Sequence, residues 1–185
     1  MEKLHTVTTD SAVGPLFLAA SDGGLVALEF DARGPGQQSI RPNPRDIRKG
    51  NHREEKLNET VVFEHSPRRL RPYIEEIEEY FAGQRRAFTF PLDLRGTAFQ
   101  LACWRALLAI PYGETRTYAD IARAVGKPNA FRAVGMANNR NPIAIVVPCH
   151  RVIASDGTLC GYGGGLDVKR KLLELEGALT RTLAA

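Results

Sequence analysis

Two apolar stretches separated by a turn stand near the start of the chain. Residues 13–20 and 25–30 are mostly apolar, and Ser-Asp-Gly-Gly lies between them. This order predicts a β-hairpin whose glycines supply the positive φ of the turn, so residues 6–30 are predicted to form strands. A further short strand is predicted over residues 88–92, where Pro91 favours an edge position because it has no N–H to donate.

Apolar residues at helical spacing predict a helix between these strands. Leu70, Ile74, Ile77 and Phe81 recur every three or four residues, which is the spacing of one buried helix face. The glutamates between them are interpreted as the solvated face, and Gly83 is predicted to end the helix.

Residues 31–60 have a different character. They contain no aromatic residue, several glycines and prolines, and an almost continuous mixture of charges over residues 41–56. Such a segment cannot bury enough apolar surface to offset the entropy cost of ordering it, so we predict a long mobile loop.

The second half of the chain is predicted to be mainly helical. Thr97 and Gln100 match a capping box at the start of one helix. Its buried stripe is predicted to consist of Phe99, Cys103, Ala106, Leu107 and Ile110. Near the end of the chain, Asp167 is predicted to cap a last helix that has Leu172 and Leu175 inward and ends at Gly177.

Between these helices the pattern indicates a helix-turn-helix. Thr117 is predicted to cap a helix over residues 118–125, and Asn129 is predicted to cap another that runs to about Asn138. A Gly-Lys-Pro turn joins them. Two short helices joined by such a turn are typical of DNA-binding helix pairs, although any pair of antiparallel helices gives a similar pattern.

Residues 143–147 (Ile-Ala-Ile-Val-Val) are predicted to be a fully buried extended segment. After Pro148, the chain continues with Cys149, His150 and Arg151. A thiolate is the reactive form of cysteine, nearby positive charge lowers the thiol pKa, and an imidazole oriented by a carboxylate can act as the general base. Adjacent side chains of an extended chain point to opposite faces, so Cys149 and His150 would need a bend or a bridging water to cooperate. Composition alone leaves the alternative that both are ordinary core residues.

Composition and charge narrow the class of protein. The 185 residues fit one domain or two small ones, and 43% hydrophobic with 25% charged residues is typical of a soluble globular chain. We expect neither a membrane span nor a secretory leader. Residues 1–91 carry 13 Lys and Arg against 14 Asp and Glu, whereas residues 92–185 carry 12 against 7, so the second half is the better candidate to meet a polyanion.

The three cysteines are too few for a disulfide framework, which favours a reducing compartment. Cys103 lies on an apolar helix face and is interpreted as a core residue, while Cys160 beside the glycine-rich residues 161–165 is left undecided. No two cysteines have CxxC spacing and the four histidines are scattered, so no metal site is predicted.

Several of these motifs occur together in one known family. Residues 145–152 (IVVPCHRV), preceded by Arg-Ala-Val-Gly at 132–135 and Asn-Pro at 141–142 and followed by Gly-Tyr-Gly-Gly-Gly at 161–165, resemble the O6-alkylguanine-DNA alkyltransferases, a family of methylated-DNA–protein-cysteine methyltransferases. The resemblance covers residues 96–177 without a gap. The N-terminal half is similar, more loosely, to the small α/β domain that precedes the active domain in this family.

The resemblance implies the fold and the domains. Residues 1–91 would form an RNase H-like α/β domain with a small antiparallel sheet and a helix. Residues 92–178 would form a mainly α domain with a winged-helix-like helix-turn-helix, and residues 179–185 a tail.

It also implies the catalytic residues. Cys149 would be the nucleophile that accepts the alkyl group, in a relay of thiol, water, His150 and Glu176. Asn141 would brace the turn before the active-site segment, and Tyr118 would contact the 3′ phosphate and donate a hydrogen bond that helps guanine to leave.

The same resemblance implies contacts with DNA and with the extruded base. Arg132 would enter the base stack as a finger beside Ala130, and Lys127 and Ser155 match positions that contact phosphate. The pocket residues would be Tyr162, Gly163, Gly164 and Val152, with glycines that let backbone amides approach the base. Phe131 departs from the small residue expected beside the finger.

The predicted reaction is single-turnover repair of O6-alkylguanine in duplex DNA after base flipping, with no cofactor, and O4-alkylthymine is left open as a second substrate. The protein is expected to be a cytoplasmic monomer that meets no membrane, and clustering along DNA is also left open. The alternatives are a non-catalytic lesion sensor, which lacks the acceptor thiol, a helix-turn-helix regulator with an added cysteine-rich module, and, more remotely, a thiol hydrolase.

Overall fold

The computed structural model describes residues 2–30 and 61–179 of the chain. The chain divides into two compact units, Met1–Ala98 and Phe99–Ala185. The loop predicted over residues 31–60 lies outside the described residues, as does all but the first residue of the predicted tail. None of the helices in the described part is long and apolar enough to cross a membrane.

The first unit contains a four-stranded sheet. Its strands are β1 (Glu2–Thr9), β2 (Leu16–Ser21), β3 (Gly24–Phe30) and β4 (Val61–His65), in the order β3-β2-β1-β4. The predicted hairpin is confirmed as β2 and β3. The prediction of an antiparallel sheet is wrong for β4, which runs parallel to β1 with Leu4 opposite Phe63. Because β2 is antiparallel to both β1 and β3, β3 and β4 also run in the same direction. Strands that run in the same direction need a long connection, and residues 31–60 lie between β3 and β4 in sequence.

Helix α1 (Pro67–Phe81) confirms the predicted helix and packs on β1. Pro67 occupies the first turn, where its fixed φ suits a helix and its missing N–H costs nothing. The buried residues are Leu70, Ile74, Ile77 and Tyr80, whereas Phe81 is half-buried. The apolar spacing therefore predicted the face correctly but not its last member.

The strand predicted over residues 88–92 is wrong. Only Leu92 forms a bridge, with Leu25, and the Leu25 N–H donates to the carbonyl oxygen of Pro91 at 2.9 Å. Pro91 has no N–H with which to extend a ladder. Phe88 and Phe90 instead place their rings against tyrosine rings of α1, with centroids 5.5 and 4.8 Å apart.

The second unit is mainly helical. Its elements are α2 (Ala98–Leu108), β5 (Arg116–Thr117), α3 (Tyr118–Ala124), α4 (Phe131–Asn139), a 3₁₀ turn (Cys149–Arg151), β6 (Val152–Ile153) and α5 (Leu166–Leu175). β5 and β6 pair in parallel. Trp104 of α2 is buried, and its indole N–H donates to the Ala137 carbonyl of α4 at 3.0 Å.

The observed helix caps agree only in part with those predicted from the sequence. The Thr117 hydroxyl accepts from the Asp120 N–H at 3.1 Å and the Asp120 carboxylate accepts from the Thr117 N–H at 2.7 Å, which confirms the predicted cap of α3. The cap predicted at Asn129 is wrong, because Ala130 precedes α4 and no side chain caps that helix. The tight turn from Lys127 to Ala130, closed by a backbone hydrogen bond of 2.9 Å, moves the helix start one residue further along.

Two predictions for α5 are also wrong. Gly165, with φ of 85°, precedes the helix, so Asp167 lies inside the first turn, where its negative charge still suits the helix dipole. Leu172 is buried as predicted, but Leu173 is the second buried leucine and Leu175 is half-buried.

Residues 143–147 are buried apart from the half-buried alanine at 144, but they form consecutive turns and not an extended segment. The Asn141 side chain closes these turns from both sides: its Oδ1 accepts from the Ile143 N–H at 3.1 Å and its Nδ2 donates to the Val147 carbonyl at 2.7 Å. Ile145 adopts φ of 71°, a costly conformation for a β-branched residue. An apolar run without periodicity could not distinguish this arrangement from a strand.

Candidate active site

Cys149 begins the 3₁₀ turn and is 8% exposed. The Asn141 Nδ2 donates to its sulfur at 3.1 Å. Burial raises the pKa of the Cys149 thiol, while the Asn141 hydrogen bond and the positive charge of Lys169 act in the opposite direction. The positive charge of Lys169 thus lowers the pKa of the thiol, as expected of a nearby cation, but burial outweighs this effect.

His150 follows in the same turn and is fully buried. Its Nε2 lies 2.9 Å from Oε1 of Glu176, while its Nδ1 is buried without a hydrogen-bond partner in the described part of the chain. Burial lowers the pKa of His150, although the Glu176 carboxylate opposes that shift. A neutral imidazole with its proton on Nε2 satisfies the carboxylate and leaves a lone pair on Nδ1.

The carboxylate of Glu176 lies just after α5 and is buried. Burial disfavours its charged form, but hydrogen bonds and charges from His150 and Arg151 outweigh this and lower the pKa of Glu176 from 4.5 to about 2. The Gly113 N–H also donates to Oε2, at 3.3 Å. Gly113 has φ of 77°, and a Cβ there would lie 2.8 Å from the Glu176 carbonyl oxygen, so only glycine fits this contact.

The 3₁₀ turn gives Cys149 and His150 a different geometry from the extended one that the sequence predicted. Consecutive residues of a 3₁₀ helix differ by a third of a turn, so neighbouring side chains do not oppose each other as they do in a strand. The Cys149 sulfur faces Asn141, while the His150 ring faces Glu176.

Tyr118 begins α3 and is half-buried. The Cys160 thiol donates to its hydroxyl at 3.7 Å. Burial raises the pKa of Tyr118 far above its usual value, with the Cys160 and Cys149 thiols contributing, so its hydroxyl stays protonated. The Tyr162 ring stands edge-on to the His150 ring at 6.4 Å between centroids, and burial raises the pKa of its hydroxyl as well.

Lys169 is a site residue that sequence reasoning missed. It is fully buried, and its Nζ donates to the carbonyl oxygens of Val152 at 2.6 Å and Cys160 at 2.9 Å. These bonds tie β6 to the loop that carries Cys160. Burial lowers the pKa of Lys169, which the two nearby thiols oppose. Its partners are backbone carbonyls, so no pairing of charged residues in the sequence could indicate it.

Neither of the two predicted pocket glycines is buried. Gly163 is exposed, and a Cβ built on it would meet no atom within 4 Å. Gly164 is half-buried. The packing of this unit alone therefore does not require glycine at position 163.

The predicted DNA-contacting residues lie on the surface of the second unit. Lys127 is in the turn between α3 and α4, Arg132 is on α4, and Ser155 follows β6, and all three side chains are exposed. Ala130 precedes α4 and is half-buried. Within the described residues these four stand apart from the hydrogen-bond network around Cys149.

The aromatic ring beside the predicted finger is itself exposed. Phe131 is 46% exposed, and the Arg132 guanidinium carbon lies 5.9 Å from its ring centroid, within range of a cation–π contact. Met136, one turn further along the Arg132 face of α4, is 58% exposed.

The three cysteines are free thiols. Residues 2–30 and 61–179 contain no group of three or more His, Cys, Asp or Glu side chains that could hold a metal ion.

Both units match one protein family. Residues 98–178 match the 6-O-methylguanine DNA methyltransferase, DNA binding domain, and residues 4–94 match the 6-O-methylguanine DNA methyltransferase, ribonuclease-like domain. Together these matches span nearly all the described residues and follow the same two-part division as the chain.

Curated relatives and solved structures agree with this match. The chain is 46% identical over 167 residues to the methylated-DNA--protein-cysteine methyltransferase of Methanosarcina barkeri, covering 90% of this chain and 93% of that protein. It is 47% identical to the protein of that name from Mycolicibacterium paratuberculosis, covering 91% and 90%. The Mycobacterium tuberculosis OGT crystallised in complex with DNA has a similar structure, with a TM-score of 0.72, 43% identity, and 93% and 92% of the two chains covered.

These likenesses define a methyltransferase that acts on methylated DNA, with an N-terminal domain followed by a helical C-terminal domain. The chain belongs to the 6-O-methylguanine DNA methyltransferase family, whose curated members are named methylated-DNA--protein-cysteine methyltransferases.

Proposed function

We propose that this chain repairs DNA by direct reversal, with Cys149 as the residue that takes the alkyl group from O6-alkylguanine. The observation that carries the assignment is the arrangement around Cys149: an amide donor at 3.1 Å from its sulfur and, on the next residue, a buried imidazole held by a carboxylate at 2.9 Å. Its relatives' names specify a protein cysteine as the acceptor.

The step is a displacement at carbon. The Cys149 thiol loses its proton to His150, through a bridging water in the relay of the family, and the sulfur electron pair forms a bond to the alkyl carbon as the bond from that carbon to O6 breaks. The electron pair of the broken bond leaves with guanine, which takes up a proton. Tyr118, protonated and near the thiol, donates a hydrogen bond to the leaving base.

The product is a thioether on Cys149. A thioether lacks the reactive bond of a thioester or a disulfide, so water does not release the alkyl group. Each chain therefore acts once, and the protein is consumed in proportion to the lesions that it repairs.

The reacting atom lies inside the duplex, so the nucleotide must rotate out of the stack at a cost of a few kcal/mol. Arg132 fills the gap left by the base, because its guanidinium can stack and donate hydrogen bonds. Around it α4 exposes Phe131, Ala133 and Met136 and few long polar side chains. Such a surface suits a sequence-independent approach through the minor groove, with Lys127 and Ser155 on phosphates.

We also assign the pocket for the base, the fold of each domain and the location of the protein. Tyr162, Gly163, Gly164 and Val152 line the pocket for the extruded base. The first domain is RNase H-like, and the helix pair α3–α4 with the small sheet β5–β6 is winged-helix-like. The protein acts on duplex DNA as a monomer in the cytoplasm, a location that its free thiols favour.

The alternative functions are not favoured. A lesion sensor of the alkyltransferase-like type lacks the acceptor thiol, whereas Cys149 is present here with a donor on its sulfur. A regulator of the adaptive-response type needs an added cysteine-rich module, and residues 1–91 contain no cysteine.

A burst assay tests the proposal. The protein is mixed with excess duplex DNA that carries radiolabelled O6-methylguanine, and the label on protein is counted over time. We expect transfer to stop at one methyl group per chain, to vanish in Cys149→Ala and to persist in Cys103→Ala. Release of label over several turnovers, or full transfer in Cys149→Ala, would contradict it.

A further inference from the structure

The guanidinium of Arg151 is directed at the catalytic carboxylate and not at the thiol. Its Nε donates to Oε2 of Glu176 at 2.8 Å and its Nη2 donates to Oε1 at 3.0 Å. Its Nη1 donates to the Ile110 carbonyl at 2.6 Å, and the side chain is buried. This forked contact fixes both partners in one plane, which a lysine could not do.

The carboxylate of Glu176 is surrounded by donors. Oε1 accepts from His150 and Arg151, and Oε2 accepts from Arg151 and from the Gly113 N–H. A carboxylate has about four acceptor positions, so neither oxygen is left to take a proton or to rotate. Its negative charge is thus fixed in place.

The charge of Arg151 changes what Glu176 does to His150. A buried carboxylate whose only partner is an imidazole favours the imidazolium, because the pair is then neutral. Here Arg151 already neutralises the carboxylate, and Lys169 adds a second positive charge that acts on His150. The Tyr162 ring also neighbours the imidazole, edge-on at 6.4 Å between centroids. These surroundings favour a neutral imidazole before the reaction.

We propose that Arg151 is a positioning residue that holds Glu176 as a fixed, ionised acceptor, so that His150 keeps its proton on Nε2 and presents the Nδ1 lone pair to the proton that leaves Cys149. The inference rests on the proposed function of Cys149. In this step the S–H bond breaks, its electron pair stays on sulfur and the proton ends on Nδ1. Glu176 and Arg151 remain charged throughout.

The first test is the pH dependence of the single-turnover rate of methyl transfer in Arg151→Met. Without the guanidinium, Glu176 holds a proton on His150 up to higher pH. The acid limb of the profile is expected to move upward by about one pH unit or more. Arg105→Met removes an exposed arginine of α2 and should keep the wild-type profile. A folded Arg151→Met protein with the wild-type profile would show that Arg151 is only structural.

Arg151→Lys keeps the charge and removes the fork, so it tests the proposal even where Arg151→Met does not fold. Its acid limb should stay near that of the wild type, while the rate should fall on the order of tenfold because Glu176 and His150 lose their fixed geometry. Wild-type rates in Arg151→Lys would overturn the positioning role.

A third measurement separates this inference from the proposed function. Nitrogen NMR of the wild-type His150 ring, without DNA, reports which nitrogen is protonated. We expect a neutral ring with the proton on Nε2, and a proton on Nδ1 at neutral pH overturns the inference. The burst assay on Cys149 is independent of this result. The inference can therefore fail while the proposed function stands, and a failure of the proposed function shows separately in the burst assay.

Discussion

The amide nitrogen of Asn141 lies 3.1 Å from the sulfur of Cys149. The same nitrogen donates to the Val147 carbonyl, and the amide oxygen accepts from the Ile143 N–H. One side chain therefore holds the turns that precede the thiol and supplies a donor to the sulfur. In the proposed reaction, Asn141 would therefore both position the nucleophile and stabilise its charge.

Substitution of Asn141 should affect both stability and reaction rate. In Asn141→Ala, the partners at 143 and 147 lose their hydrogen bonds, which should cost about 1–3 kcal/mol of unfolding free energy. Loss of the donor to the thiolate should slow methyl transfer roughly tenfold to a hundredfold. Urea unfolding and single-turnover kinetics measure the two effects. Asn139→Ala, at the exposed end of α4, is the control. Equal unfolding free energies and equal transfer rates in the two variants would refute the role of Asn141.

Arg132→Ala should separate base extrusion from chemistry. We expect repair of O6-methylguanine in duplex DNA to slow on the order of tenfold or more, because the gap left by the base is no longer filled. Reaction with the free alkylated base needs no extrusion and should change by less than about twofold. Equal slowing with both substrates would show that Arg132 is not the finger, and Arg105→Ala serves as the charge-matched control.

Gly113→Ala should displace Glu176. Both Gly113 and Gly83 have positive φ, at 77° and 72°, so an alanine at either position pays the same backbone strain of about 1 kcal/mol. Only at Gly113 does the added Cβ meet the Glu176 carbonyl, at 2.8 Å. We therefore expect Gly113→Ala to lose more stability and to slow methyl transfer, while Gly83→Ala keeps its rate. Unfolding curves and transfer rates that match between the two variants would contradict the contact.

Glu176 should make the protein acid-sensitive. Its pKa is lowered from 4.5 to about 2, so the stability it contributes is complete above the higher value and is lost as the pH falls towards the lower one. The unfolding free energy of Glu176→Gln should therefore fall less steeply than that of the wild type between about pH 5 and pH 2. Urea unfolding across this range measures the slopes. Glu174→Gln, on the exposed face of α5, is the control. If the unfolding free energies of Glu176→Gln and the wild type fell equally steeply with pH, the lowered pKa of Glu176 would be refuted.

Features with a local pattern could be predicted from the sequence. The spacing of Leu70, Ile74 and Ile77 was enough to place α1, and Thr117 was enough to place the start of α3. Each of these features depends on residues within about one or two helical turns. The resemblance to a family supplied Glu176, which no local pattern connects with His150.

Features that depend on distant partners could not be predicted. Residues 143–147 have no periodicity, and their turns are set by the Asn141 side chain. Arg151 reaches a carboxylate that is 25 positions away in sequence, and Lys169 reaches backbone carbonyls, so no local pattern predicts either contact. The parallel pairing of β4 likewise depends on a connection whose path a sequence pattern does not specify.

The most direct test of the account is to find which cysteine carries the methyl group. Trypsin places the three cysteines on separate peptides, because cleavage after Arg95, Arg105, Arg140, Arg151 and Lys169 separates residues 96–105, 141–151 and 152–169. After reaction with methylated duplex DNA, mass spectrometry should show one methyl group on the 141–151 peptide, located at Cys149, and none on the other two. A methyl group on Cys103 or Cys160, or an unmodified 141–151 peptide after complete repair, would contradict the account.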